Sequence, residues 1–290
     1  MKSHLALAFL IALGCTLPVY GETAPTPPAA DTTRSAAPWV GAQAVLAATS
    51  DDVQNGGIRG VRPHLDDLEQ ALAQAPQAFA AAAAGDADAT YALADNQSDT
   101  LIALMSAAIA DQKDPGAQKR KTVAVHNPYP AIALYLGTYY NELDQPADAL
   151  RVFEAEKNLP APFRGLFVEA APIAGERAVA LVKLGRFADA LVVYDEGVKL
   201  SDKDNRQLAR MHRGRGYVLT ELGRLDEAEQ AYQESLTLEP DNALAKRELQ
   251  YITGLRAGAK SAPSQTITVT PPPPAPQDKP ADAPPAATGT

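Results

Sequence analysis

The sequence predicts an all-α chain: a helical-repeat solenoid preceded by a small helical N-terminal region, with disordered tails at both ends. Three observations carry this. Apolar residues recur at helical spacing almost throughout the middle of the chain, and no run of period-two alternation there is long enough to demand a sheet. From Pro130 onward a pattern of small, aromatic and leucine residues returns in three copies.

The ends are set apart by composition. Lys2, the apolar run from Leu5 to Leu13, Pro18 and the small Gly21 have the layout of a secretory leader, and the run is too short to span a bilayer. Cleavage after Gly21 is expected, because Val19 and Gly21 supply the small side chains that a peptidase needs three places and one place before the cut. The rival is lipidation at Cys15, which follows Gly14 as in a bacterial lipoprotein leader, although Ala12 and Leu13 reverse the usual order of branched and small residues. No cysteine lies beyond Cys15, so the exported chain has no disulfide and rests on helix packing. Residues 22–37 are mostly Ala, Pro and Thr and read as a flexible lead. Residues 258–290, with Pro271 to Pro274, Pro276, Pro280, Pro284 and Pro285, read as a disordered tail of polyproline II character.

A net charge of −9 over 290 residues argues against general nucleic-acid binding, which needs an excess of Lys and Arg to neutralise phosphates. Beyond the leader no apolar run approaches about 20 residues, so no membrane span is expected and any anchor would be Cys15.

Residues 38–125 form the helical N-terminal region. Trp39, Val40 and Val45 suggest a short first helix. Val61, Leu65, Leu68 and Leu72 share one face of the next, with Pro63 near its start and Pro76 beyond its end. An alanine-rich helix from Gln77 to Ala84 should stop at Gly85. Another should run from about Asp99 to Asp111, capped by Ser98 or Asp99 and burying Leu101, Leu104, Met105, Ala108 and Ile109. Lys119, Arg120 and Lys121 open an extended connector that runs to Pro130. These helices are either a separate small domain or degenerate copies of the repeats beyond Pro130.

Residues 126–257 hold the repeats. The first copy carries Leu136-Gly137, Tyr140, Leu143, Ala149, Phe153 and Pro160. The second carries Ala178, Leu181, Leu184-Gly185-Arg186-Phe187, Ala190 and Tyr194; the third carries Gly216, Leu219, Leu222-Gly223-Arg224-Leu225, Ala228, Tyr232 and Pro240. This pattern resembles the tetratricopeptide repeat family, which implies paired antiparallel helices whose first members line a concave groove. Gly137, Ala178 and Gly216 should let the partner helix approach closely, and Gly185 and Gly223 should end the first helices in the left-handed conformation. The first copy has Asp144, Gln145 and Pro146 there, so its turn is expected to differ in detail. The alanine markers Ala149, Ala190 and Ala228 stand 41 and 38 residues apart, so two copies exceed the family's 34-residue period. The excess predicts a third-copy first helix starting near Asn205 and a short extra helix near Phe163 to Ala170. After Pro240, Asp241 and Asn242 can cap a closing helix through about Leu255, which a repeat stack needs to cover its last face.

No catalytic or metal signature survives inspection. His64, His126 and His212 lie far apart, and Asp86 and Asp88 lack the glycine and distal glutamate of a calcium loop. Gly214-Arg215-Gly216 lies within a helix where Gly216 already has a packing task. The chain therefore reads as a non-enzyme with no cofactor and no metal. Arg206, Arg210, Arg213 and Tyr217 recur at four, three and four on one helix face, and the resemblance places Arg210, Arg213 and Tyr217 on the groove side. An acidic peptide or a C-terminal carboxylate is the ligand this implies, held through guanidinium forks. The competing reading pairs these arginines with Glu169 and Glu176 of the preceding copy. The family's own carboxylate clamp is incomplete, since Leu134 and Thr138 stand at its first-repeat places, and Arg215 sits where the family prefers leucine. The expected function is an exported scaffold, periplasmic or outer-membrane-attached, that binds a protein or peptide partner. The alternative is a structural envelope or wall-contacting factor without a dedicated groove.

Overall fold

The computed structural model describes residues 37–86, 88–94, 97–113, 120–159, 170–201 and 204–260. The leader with Cys15, most of the lead, the helix expected from Phe163 and the tail beyond Lys260 lie outside them.

The first helix, α1 (Pro38–Gly56), is longer than expected because Leu46 and Val53 continue the buried face that Trp39 and Ala42 begin. Gly57, at φ 65°, ends it. A 3₁₀ segment, Gly57–His64, carries Pro63 and buries Val61 completely. Helix α2 (Leu65–Ala84) then corrects a sequence expectation: it runs straight through Pro76 instead of breaking there. The missing N–H and the ring of Pro76 oppose this. They are outweighed because Leu68, Ala71, Leu72, Ala75, Ala78 and Ala82 form one unbroken buried stripe, with Pro76 on the solvent side.

The second correction is a small sheet. Strands β1 (Ala89–Ala94) and β2 (Lys121–His126) pair in parallel, with Ala89 opposite Lys121 and Ala94 opposite His126, and α3 (Gln97–Lys113) makes the crossover. Asp86 starts β1 by accepting from the Asp88 and Ala89 N–H groups at 3.0 and 2.8 Å and from the Tyr91 hydroxyl at 2.7 Å, a hydrogen-bonded turn. Trp39 packs on Tyr91 with ring centroids 5.2 Å apart. The expected burial of α3 is overturned. Leu101, Leu104, Met105 and Ile109 are 58%, 42%, 55% and 50% exposed, and Ala108 is exposed with them. The helix packs on both strands, and Ile102, Ala103 and Ala107 on it are half-buried. The expected caps Ser98 and Asp99 fall inside the helix, which starts at Gln97.

The repeats come next as α4 (Tyr129–Glu142) with α5 (Pro146–Lys157), α6 (Ala170–Lys183) with α7 (Phe187–Leu200), and α8 (Asn205–Glu221) with α9 (Leu225–Leu238). Helix α10 (Ala243–Arg256) closes the stack, its N-terminus capped by Asn242, which accepts from the Ala245 N–H at 3.1 Å. Helix α8 starts at Asn205, where the four-residue excess of the third copy placed it. Close helix approach works as the residue types require: a Cβ on Gly137 would overlap the Phe153 ring, and one on Gly216 would meet Tyr232 at 2.8 Å. Gly214 has its own task, since Tyr194 of the second repeat packs against it.

The turn of the first repeat does not differ as expected. Asp144 adopts φ 57°, beside 71° and 74° for Gly185 and Gly223. The following N–H bonds five residues back in each case: Gln145 to Tyr140, Arg186 to Leu181 and Arg224 to Leu219, all at 2.9 Å. Aspartate is among the few residues that tolerate this region, so the same turn forms with some strain.

One buried cluster contains Leu46, Val61, Leu68 and Leu72 together with Ile132, Leu136 and Val152. The N-terminal helices and the first repeat thus share a core, with no break in packing at the boundary drawn from sequence. A second cluster runs through the later repeats to Ile252 of α10. Leu134, Phe153, Ile173 and Ala180 bridge the two.

Candidate partner-binding surface

The four sequence-selected residues all lie on or just inside α8, and the structure separates them. Arg206 is exposed in its first turn, where Asp204 caps the helix by accepting from the Arg206 and Gln207 N–H groups at 2.9 and 3.1 Å. Arg210 is half-buried, and its Nη2 donates to Glu176 Oε1 on α6 at 2.5 Å. Arg213 is only 5% exposed. Its Nη1 donates to Glu239 Oε2 at 2.6 Å and to Ser235 Oγ at 3.2 Å, at the end of α9. Burial pulls the Arg213 guanidinium below its ordinary pKa, against the nearby Glu239 carboxylate. Tyr217 is half-buried against the second core cluster. A stripe of common spacing therefore splits into an outer part, Arg206 with Arg210 and Tyr217, and an inner part, Arg213.

The pairing of Arg210 with Glu176 belongs to a longer row. Glu176 Oε2 accepts from Asn141 Nδ2 on α4 at 3.0 Å, and the same amide donates to the Glu176 carbonyl at 3.0 Å. One carboxylate thus ties together the first helices of all three repeats. Lys183 supports the same corner: its Nζ donates to the Asn141 carbonyl at 2.5 Å and lies 3.3 Å from Asp144 Oδ1. Burial and the Glu176 charge hold the Glu142 carboxyl above the usual carboxylate range. These groups are placed for holding helices in register. Asn141, Lys183 and Glu239 were not selected from the sequence, where nothing marks them as partners across so many intervening residues.

The inner positions of the first two repeats are closed. Leu134, Thr138, Val179 and Val182 are buried. Arg215, at a place where the family prefers leucine, sends its Nε 2.7 Å from Asp195 Oδ1 on α7, so its stem lies over the packing and its head is paired. His64 meets Asp52 at 2.8 Å and His212 meets Glu234 at 2.9 Å. Among the described residues no His, Asp or Glu side chains gather in a group of three or more that could hold a metal ion, and no described helix is long and apolar enough to cross a membrane.

Of the comparisons with known proteins, the family match falls on the third repeat. The tetratricopeptide repeat model matches residues 209–242, which begin in α8 and end at the cap of α10. Among solved structures, the first TPR domain of the human RPAP3 protein is similar at 25% identity, covering 45% of this chain and 94% of that one, with a TM-score of 0.39. The first TPR of Spaghetti (RPAP3), solved with the HSP90 peptide SRMEEVD, is similar at 25% identity over 44% and 94%, with a TM-score of 0.38. No curated protein matches the chain.

Proposed function

We propose that this chain, which matches the tetratricopeptide repeat model at residues 209–242, is an exported, non-enzymatic scaffold of the bacterial cell envelope that takes an acidic segment of a protein partner on the third repeat. Arg206, Arg210 and Tyr217 receive the segment; Arg213 holds α8 to α9 and takes no part. The observation that carries this reading is the placement of Arg206 and Arg210 one turn apart on α8, the first exposed and the second partly so. A partner carboxylate there competes with Glu176 for the Arg210 fork and adds a charge-assisted bond of the kind that guanidinium groups favour. No cofactor and no metal enter the function.

The test is binding of fluorescent acidic peptides with free C-termini to the chain lacking residues 1–21. Arg206→Glu should weaken binding by about tenfold and flatten its salt dependence, as expected for removal of a surface charge that steers and holds an anion. Unchanged affinity in Arg206→Glu would remove the third repeat as the receiving surface.

A second reading is favoured by a specific observation. Arg210 and Arg213 are both engaged by carboxylates of the chain itself, and the inner positions of the first two repeats are buried. This suits a structural envelope or wall-contacting factor in which the row of charges only sets helix register. Export is tested separately by the mass of the protein recovered from cells. A chain starting at Glu22 supports cleavage after Gly21 and a periplasmic protein; a lipid-modified Cys15 supports attachment to the outer membrane.

A further inference from the structure

We propose that residues 265–270 of a second copy of this chain add a third strand to the outer edge of β2. The sheet formed by β1 and β2 is two-stranded, and parallel pairs of this size are marginal without further strands or cover on both faces. Lys121 N donates to Asp88 O and Asn127 N donates to Ala94 O, which fixes the odd-numbered residues of β2 as those facing β1. The N–H and C=O groups of Thr122 and Ala124 therefore point away from β1. Among the described residues no backbone hydrogen bond outside the sheet reaches either residue. On α3, which packs on both strands, Leu101, Leu104, Met105, Ala108 and Ile109 are uncovered, so the unit lacks both a third strand and cover for this stripe.

The chain contains one segment that fits. Between Pro263 and Pro271 the sequence reads Ser264, Gln265, Thr266, Ile267, Thr268, Val269, Thr270. Every position from 266 to 270 is β-branched, the residue class that favours extended pleated backbone. Ile267 and Val269 fall on one face and the threonines on the other. The span from Gln265 to Thr270 equals that of β1 and of β2, and the run of prolines from Pro271 ends it, since proline has no N–H to give a ladder. A third strand would satisfy the Thr122 and Ala124 groups and bring two branched apolar side chains beside the sheet.

The strand comes from a second copy because its own sheet is out of reach. Helix α10 packs on α8 and α9, and the route back to the sheet passes α8, α6, α4 and α2. At roughly 8–10 Å between packed helix axes, these four steps make about 32–40 Å. From Lys260 to Gln265 an extended chain covers only about 17 Å. Such an exchange closes as a two-fold pair where it is reciprocal and runs on as rings or open chains where it is not.

The experiment compares the chain lacking residues 1–21 with the same chain ending at Lys260 and with Ile267→Pro/Thr268→Pro, which removes a ladder N–H in either register, using sedimentation velocity over a range of concentrations and amide exchange at Thr122 and Ala124. The full tail should give concentration-dependent association and slow exchange at both amides. Both variants should be monomeric, with exchange there about tenfold faster or more and with unchanged helical content. A labelled peptide spanning residues 263–272 should bind the chain ending at Lys260, and its Ile267→Asp/Val269→Asp form should bind about tenfold more weakly or worse. Equal exchange rates with and without the tail would overturn the proposal. Slow exchange in a full chain that stays monomeric would assign the strand to its own sheet and overturn the second-copy arrangement. Association that survives Ile267→Pro/Thr268→Pro would assign the contact to another surface, such as the α3 stripe, and overturn it as well.

Discussion

The repeat stack from α4 to α10 and the unit of β1, α3 and β2 sit in one chain but are finished to different degrees. In the stack, aromatic rings meet glycines, the left-handed turns recur in register and the inner charges are paired within the chain. In the strand unit, a five-residue apolar stripe faces out and the β2 edge carries unmatched groups. Burial pattern, not apolar content, thus separates the two regions. α3 is as apolar as the repeat helices, yet of its large apolar side chains Ile102 is half-buried while Leu101, Leu104, Met105 and Ile109 are exposed.

Substitutions in each region put this contrast to the test. The largest effect is expected for Phe153→Ala in the stack. Phe153 is fully buried against Gly137, so its loss leaves a cavity between α4 and α5 and should lower unfolding free energy by about 3–5 kcal/mol in chemical denaturation. A smaller loss would mean that the stack tolerates a void as loosely as the strand unit tolerates exposure.

The joint between the first repeat and α2, the helix on which β1 packs, should respond less, and with a pH dependence. Glu69 of α2 accepts from the Tyr140 hydroxyl at 2.7 Å and from Arg151 at 2.7 and 3.2 Å. Burial raises its carboxyl, but the bonds from Arg151 and Tyr140 and the Arg151 charge more than offset this, leaving its pKa below the ordinary value. A carboxyl lowered by folding stabilises the protein above its unfolded pKa and stops doing so as pH falls through the folded value. Glu69→Gln should therefore cost about 1 kcal/mol at neutral pH, the modest size reflecting the exposure of Arg151. The difference from the parent protein should shrink below about pH 4, and thermal melts across pH 3–7 check it. A constant difference over that range would mean that the joint is held by packing alone. The smallest effect is expected for Met105→Ser on α3. With the side chain 55% exposed, the change should stay within about 0.5 kcal/mol. A drop of several degrees in melting temperature would show that the stripe is covered after all.

How much of the molecule was legible in the sequence divides along the same line. The repeats were readable because each position serves a nearby partner at fixed spacing, as Gly137 with Phe153 and Gly216 with Tyr232. Asp144 hid the first turn only because glycine is the commoner solution. Pro76 misled because a local rule was set against a buried stripe that only the folded chain reveals. β1, with its sequence Ala-Thr-Tyr-Ala-Leu-Ala, is rich in a helix-favouring residue and becomes a strand through its partner thirty-two residues on. The candidate site was half legible. Spacing placed Arg206, Arg210, Arg213 and Tyr217 on one face, but it fixes only where a side chain leaves the helix. Guanidinium groups on long stems then went to different carboxylates, Glu176 on one side and Glu239 on the other.

The row formed by Asn141, Glu176 and Arg210 has a mechanical meaning. It crosses the inner side of three successive repeats through one buried carboxylate, so any change in curvature between α4, α6 and α8 must lengthen a charge-assisted bond in a poorly screening interior. The inner side therefore behaves as a stiff tie-rod. Bending is resisted there, along the first helices of the repeats.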